Sequence, residues 1–289
     1  MAAVPVAIGM GAPASTTLLG LNGVLGLAGW KWLFICEAIP AVILGICTWF
    51  FLTDRPENAT WLRPDERGWL SAVMAEETAR VRGEKRVTVW QSLIDPRVIA
   101  LGGVHFAQAG VSVGMAVFVT LIVKQLGHSN METGWLTAIP FIFGTLGILI
   151  WGGISDRMNE RKWNLTASCT VMAIGLAMAG FYNGTYIAIV GLSIGMIGLY
   201  ASNAHLFPIP SMFLTGAAAA SGIAWVNSLG ILAGGVTSPV IGYLKDTTGD
   251  YASGLYFLAG LALLGAIITV AGVHETAARL APGLVRAAE

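Results

Sequence analysis

Along one apolar stretch of the sequence His105, Gln108 and Ser112 recur at i, i+3 and i+7, the spacing that puts three side chains on one face of a helix. An imidazole, an amide and a hydroxyl aligned in this way can line a polar cavity, or can bond to a neighbouring helix. A second stretch carries Tyr200, Asn203 and Phe207 in a similar stripe, with Ser202 and His205 on other faces. A third holds Asn227 and Ser228 in its middle, beside Trp225. Amides and hydroxyls at such positions can hold a bound solute, and they can equally join helices, where measured couplings average only about 0.6 kcal/mol. Glu37 is the one carboxylate well inside an apolar run, just after Trp30, Trp32 and Phe34. It is the candidate for taking up and releasing a proton, while its aromatic neighbours fit an interfacial belt.

The elements that must position these groups are membrane helices. Of 289 residues, 55% are hydrophobic and 11% charged, against about 25% charged in ordinary soluble domains. Runs long enough to cross a bilayer lie near 2–20, 33–53, 98–122, 133–153, 163–182, 185–207, 216–243 and 252–273. Helices are the expected spanning element, because the alternating pattern of a membrane barrel is absent and each segment must satisfy its own backbone. The fold class read from this pattern is all-α: a polytopic membrane protein of about eight transmembrane helices. The lipid bilayer is therefore a partner, and a net charge of zero gives no reason to expect nucleic acid.

Orientation follows from the bases in the connections. Thirteen fall on one side, among them Arg55, Arg63, Arg67, Arg97, Arg157, Arg161 and Lys162; Lys31, Lys124 and Lys245 fall on the other. That split places both termini and the polar 54–97 segment in the cytoplasm. The segment's charged stretch from Asp65 to Arg86 predicts an amphipathic surface helix. The run Gly152 to Lys162, which packs an acid, three bases and a second acid into seven residues, is expected as a tight turn where the membrane ends. Each unpaired charge in hydrocarbon would cost about 2.5 kcal/mol or more.

Other chemistries find no residues to stand on. There is no GxxxxGK[ST] phosphate loop, no HExxH, no GxSxG with partners and no pair of intramembrane carboxylates, so an enzyme is not expected. Cys36, Cys47 and Cys169 are odd in number, lie in apolar runs and lack metal-ligand spacing, so they read as packing residues. Neither a metal nor another cofactor is implied.

The loop Gly152-(x)3-Asp156-Arg157-(x)3-Arg161-Lys162 resembles the second-half signature loop of the major facilitator superfamily. Further stretches resemble its anion:cation symporter branch, the tartrate-, phthalate- and sugar-acid-permease-like members. Gly29-Trp30-Lys31-Trp32-Leu33-Phe34-Ile35, with Glu37 and Pro40, resembles the junction of that branch's fifth and sixth helices, and Asp54-Arg55-Pro56-Glu57 the start of its central loop. Ala217 to Ala224, Asn227-Ser228-Leu229-Gly230 and Lys245-Asp246 resemble its eleventh helix and the turn that follows. Thr120 and Ile231 stand where the branch usually has a proline and an asparagine.

The resemblance begins at the fifth helix, so it implies a partial fold of fifth to twelfth helices: residues 1–53 as two helices of the first half, 54–97 as cytoplasmic central loop, 98–273 as a six-helix second half and 274–289 as cytoplasmic tail. It implies proton-coupled symport of an organic anion (a sugar acid, tartrate-like acid or aromatic carboxylate) across a bacterial inner membrane. His105, Gln108, Ser112, Asn203 and Asn227 would bind substrate, and Asp156, Arg157 and Arg161 would form a gate. Glu37 would couple protons. The alternative is a truncated membrane protein that does not transport. Neither oligomeric state nor the individual substrate follows from these residues.

Overall fold

A computed structural model describes residues 3–273 apart from 55, 84–87, 159 and 215, and omits the side chains of 77–83, 156 and 157. The expected tail, 274–289, lies outside the described residues. Ten α-helices run through the described chain: α1 (Ala3–Leu19), α2 (Gly29–Phe51), α3 (Pro64–Gly83), α4 (Val89–Leu93), α5 (Pro96–Lys124), α6 (Asn130–Met158), α7 (Arg161–Phe181), α8 (Tyr186–Leu206), α9 (Gly216–Thr248) and α10 (Ala252–Gly272). Among the described residues there is no strand.

Seven of these helices are long and apolar enough to cross a membrane. The eighth expected span forms as α1, but its 17 residues rise only about 25 Å, short of a typical hydrocarbon core of about 30 Å. A second difference concerns the turn expected at Gly152 to Lys162. Helix α6 continues to Met158, so the helical backbone runs through Gly152 and Gly153, and only positions 159 and 160 separate it from α7. Backbone hydrogen bonding is satisfied inside a helix whether its surroundings are lipid or water, so composition marks where hydrocarbon ends and not where helix ends.

Local chemistry sets the helix boundaries. Asp95 caps α5, its Oδ1 accepting from the Arg97 backbone N–H at 2.8 Å, and Pro96 fills the first turn, where its missing N–H costs nothing. The Asp95 carboxylate also takes two hydrogen bonds from the Arg97 guanidinium, at 3.1 and 2.8 Å. Thr88 and Gln91 form a reciprocal capping box on α4, and Ser129 with Glu132 does the same for α6. Gly127 turns the chain between α5 and α6 at φ 84°, a conformation that side chains with a Cβ avoid. After α8 the chain is broken by Pro208 and Pro210, as their missing N–H groups dictate.

The Asp95 cap makes a testable stability contribution. The side-chain hydrogen bond from Arg97 holds the Asp95 carboxyl below its ordinary value of 3.8. A carboxylate depressed in the fold stabilises above its unfolded value, and that stabilisation is lost as pH falls through the folded one. Asp95→Ala is expected to cost about 1 kcal/mol at neutral pH. Thermal melts of the detergent-solubilised protein should show the difference from wild type shrink once pH drops below 3.8.

Two compact units divide the chain, residues 14–86 and the remainder. In the smaller unit α2 buries only Gly29, where a Cβ would fall 2.5 Å from the Leu19 carbonyl oxygen and whose N–H donates to Asn22 Oδ1 at 2.9 Å. Its remaining apolar surface, including Trp49, Phe50 and Phe51 at 77% exposure or more, suits a hydrocarbon surrounding. The charged stretch expected as an amphipathic surface helix is helical, as α3, but its apolar residues do not gather on one face: Leu70 and Val73 are half-buried and Trp69 and Met74 exposed.

In the larger unit, residues 1–13 and 87–289, helices α5 to α10 make a bundle. Its most extensive contacts join α9 to α5, α5 to α10, α10 to α7, α7 to α8 and α8 to α6. The core lies along that path: Leu101, Val104 and Met115 of α5, Cys169, Met172 and Leu176 of α7, Leu192, Met196 and Leu199 of α8, and Leu255, Leu258 and Ala262 of α10. The closest approach is between α7 and α8, where Gly175, Gly191, Gly195 and Gly198 bring the two backbones together.

Candidate functional site

Buried polar side chains are spread through the bundle, and one group of them lies in the half where α5, α7 and α9 start and α6 and α8 finish. His105 stands at the centre of this group, 8% exposed. Its ring lies on Gly230 of α9 so closely that a Cβ there would fall 2.0 Å from the imidazole Cδ2. The Phe207 ring, at the end of α8, meets it edge-on with centroids 5.1 Å apart. Gln108 and Asn227 are its polar neighbours. Three of the five predicted binding residues, from α5 and α9, therefore converge.

Satisfaction of these groups is incomplete. His105 Nδ1 and both amide atoms of Gln108 are buried without a regular hydrogen bond. Gln108 has no exposed surface and sits beside Cys169 of α7. A buried polar atom left unpaired costs about 1–3 kcal/mol, and native structures hold few of them. Three such atoms meet at this one helix junction. Asn227, on the other side of the imidazole, is exposed and gives the junction an open edge.

The other predicted residues lie further off. Ser112 is half-exposed on the same face of α5, about 10 Å beyond His105 at 1.5 Å per residue. Asn203 is one turn before Phe207 on α8 and half-exposed, with its Nδ2 donating to the Leu199 carbonyl at 3.1 Å. Glu37 belongs to the smaller unit, where its Oε1 accepts from Ser15 Oγ at 2.8 Å. It is exposed, so the carboxylate is not enclosed within that unit. Of the three gating candidates, Arg161 is half-buried at the start of α7, and the side chains of Asp156 and Arg157 lie outside the described residues.

Sequence reasoning missed Gly230, the platform for the imidazole. Its one legible signal was its place three residues after Asn227, on the same face of α9. The Trp151–Asn164 contact was missed as well. Trp151 Nε1 donates to Asn164 Oδ1 at 3.0 Å, tying α6 to α7, and the Trp151 ring lies 6.4 Å from that of His205. Two cavities elsewhere have almost wholly apolar walls. One of about 380 Å³ between α1 and α6 is lined by Pro5, Gly9, Trp135 and Ile142 among others, and carries almost no polar surface.

Charge at the junction is sparse. Arg97, Lys124, Arg161, Lys162 and Lys245 all lie in the first or last turns of their helices. Among the described residues His105 belongs to no salt bridge. The arrangement can offer hydrogen bonds and one titratable ring to a ligand, and nothing in it resembles a nucleophile with its base.

Comparison with known proteins fits this architecture. A putative tartrate transporter of Agrobacterium vitis is 43% identical over 270 residues, covering 93% of this chain and 60% of its own length. A quinolone resistance transporter of Acinetobacter baumannii is 34% identical over 267 residues, 92% of this chain and 61% of its own. This chain thus spans about 60% of the length of the curated relatives it matches. The crystal structure of the E. coli fucose:proton symporter superposes with a TM-score of 0.58 at 13% identity, over 90% of this chain and 73% of that one, which is a likeness of fold. The sequence profile of the Major Facilitator Superfamily matches residues 1–227 and, overlapping, 100–283. With its helical bundle, its apolar spans and relatives that are transporters, the chain belongs to the Major Facilitator Superfamily.

Proposed function

We propose that this chain carries the second half, and part of the first, of a secondary transporter that moves a small organic anion together with protons by alternating access. The observation that carries the reading is the junction of His105, Gln108 and Asn227, a group of polar side chains in a largely apolar bundle. The name of the 43%-identical relative points to tartrate or a similar hydroxy acid as the anion. Ser112 and Asn203 would extend the site along α5 and α8.

In this reading residues 98–273 are the moving second half, 1–53 belong to the first, 54–97 are the cytoplasmic connection and 274–289 a cytoplasmic tail. Thirteen bases against three favour that orientation in a bacterial inner membrane, with both termini inside. Asp156, Arg157 and Arg161 then sit where α6 meets α7 on the cytoplasmic side. There they serve as a latch that holds in one state and breaks in the other. Glu37 is the carboxylate available for proton coupling.

Uptake by proteoliposomes tests the reading. With acid outside, the protein should accumulate labelled tartrate, a protonophore should abolish accumulation, and Asn227→Ala should lower the initial rate about tenfold. A second reading, a membrane protein that does not itself transport, draws on the 60% share of the relatives' length. Folded, correctly inserted protein that accumulates neither tartrate, sugar acids nor aromatic acids would favour it.

A further inference from the structure

We propose that His105 is the point where the anion and the coupled proton meet: its imidazolium supplies the positive charge to which the anion binds, so that each ligand requires the other. The inference rests on the transporter reading above and deepens it. Its ground is the composition of the junction. The groups around the ring are amides, an aromatic and a glycine, namely Gln108, Asn227, Phe207 and Gly230. Among the described residues no carboxylate pairs with the ring, and an imidazolium in that setting favours a bound anion. Among the described residues of the bundle lysine and arginine occur only at the helix ends, so His105 is the cation within reach of an anion at this place.

Each element packed against α5 bears this out among the described residues. On α5 itself the nearest charges are Asp95 and Arg97, two turns earlier and paired with one another. The α9 residues facing the ring are Asn227 and Gly230, and α8 offers Phe207 while His205 faces Trp151. From α10 come Ile268, Gly265 and Gly272, against Gly103, Ala107 and Ala100, and its tyrosine, Tyr256, lies on Gly180 of α7. The ionisable Cys169 of α7 touches Gln108. Helix α6 has Glu132 in its first turn and Asp156 and Arg157 in its last, the side chains of these two lying outside the described residues, and α4 has no ionisable residue.

The buried Nδ1 of His105, without a hydrogen-bond partner among the described residues, is the second observation. A neutral imidazole leaves one nitrogen as acceptor, whereas a protonated ring donates from both. Protonation therefore creates a donor at the junction as well as a charge, and a carboxylate answers both. Anion affinity then falls as pH rises through the imidazole titration, and by linkage anion binding draws a proton onto the protein.

The test uses the full chain in detergent with L-tartrate, an aldonate and nicotinate as probes. Binding is followed by thermal-shift titration at pH 5.5 and 8.0, and proton uptake by an indicator dye in weak buffer. Wild type is expected to bind at least one probe about tenfold tighter at pH 5.5 and to take up a proton on binding near neutral pH. His105→Gln should bind weakly at both pH values with no proton uptake, and His105→Lys should bind without pH dependence. His105→Gln that keeps the wild-type pH dependence and proton uptake would overturn the role of His105 while leaving the transport site in place. Wild type that binds none of the probes at either pH would overturn the site reading itself, and this inference with it. The proton-uptake measurement on wild type stands whether or not either variant folds.

Discussion

Replacing Gly175 with valine is expected to cost at least 3 kcal/mol and to leave the purified protein melting well below wild type, or unable to accumulate as a monodisperse species. A Cβ at this position would come within 2.2 Å of the Gly195 backbone nitrogen, 2.7 Å of its Cα and 2.8 Å of the Gly191 carbonyl oxygen. All three atoms are backbone, so no rotamer change relieves the clash and the two helices must separate. The same approach is repeated along the pair: Gly191 meets the backbone of Ala179, and Gly198 that of Met172 and Ser168. Separation at one point therefore loosens the whole α7–α8 contact. Overpacking in a core costs about 1–3 kcal/mol when side chains can adapt, and here they cannot. Gly260→Ala is the control. A Cβ there meets nothing within 4 Å, and a better helix former should leave stability unchanged or raise it by about 0.5–1 kcal/mol. Equal melting temperatures for Gly175→Val and wild type would show that α7 and α8 are not packed through these glycines.

Gly230→Ala is expected to separate folding from function. The added methyl would overlap the His105 ring, at 2.0 Å from Cδ2 and 2.6 Å from Nε2. A ring at the end of a side chain can swing aside where backbone cannot, so the cost to stability should stay near 1 kcal/mol. The imidazole would nevertheless leave its position beside Gln108 and Asn227. Anion uptake or binding should then fall about tenfold or more, since a displacement of about 1 Å at a site of this kind is enough. Were His105 only a packing residue joining α5 to α9, the variant would lose stability and transport in proportion. Thermal melts and uptake rates measured on the same preparations distinguish the two outcomes.

Much of the architecture was legible in the chain. Apolar runs gave the spans to within a few residues, because a helix in lipid has to be apolar along its whole length. Pro208 and Pro210 marked the end of α8, since proline cannot continue the ladder of N–H donors. The i, i+3, i+7 stripe of His105, Gln108 and Ser112 was legible for the same local reason, that helical period fixes which side chains share a face. The continuation of α6 through Gly152 and Gly153 was not. Glycine pairs and charges suggest a turn by propensity, but a helix anchored by packing along most of its length carries such residues at its end at small cost.

The sequence by itself determined that the chain is a set of membrane helices, roughly where each lies, and which few polar residues interrupt the hydrocarbon. It did so because the bilayer acts on each segment separately, so composition and period carry the answer. Tertiary structure alone decided which polar stripes meet. His105, Phe207 and Gly230 come from positions more than 100 residues apart along the chain for the first of them, and no periodicity relates their faces. Only the packing of α5 against α9 and the end of α8 sets the imidazole on Gly230, where a Cβ would overlap it. The same packing leaves Gln108 buried beside it without a regular partner. A stripe became a candidate site because helix–helix contact, unlike insertion into lipid, depends on residues remote in sequence.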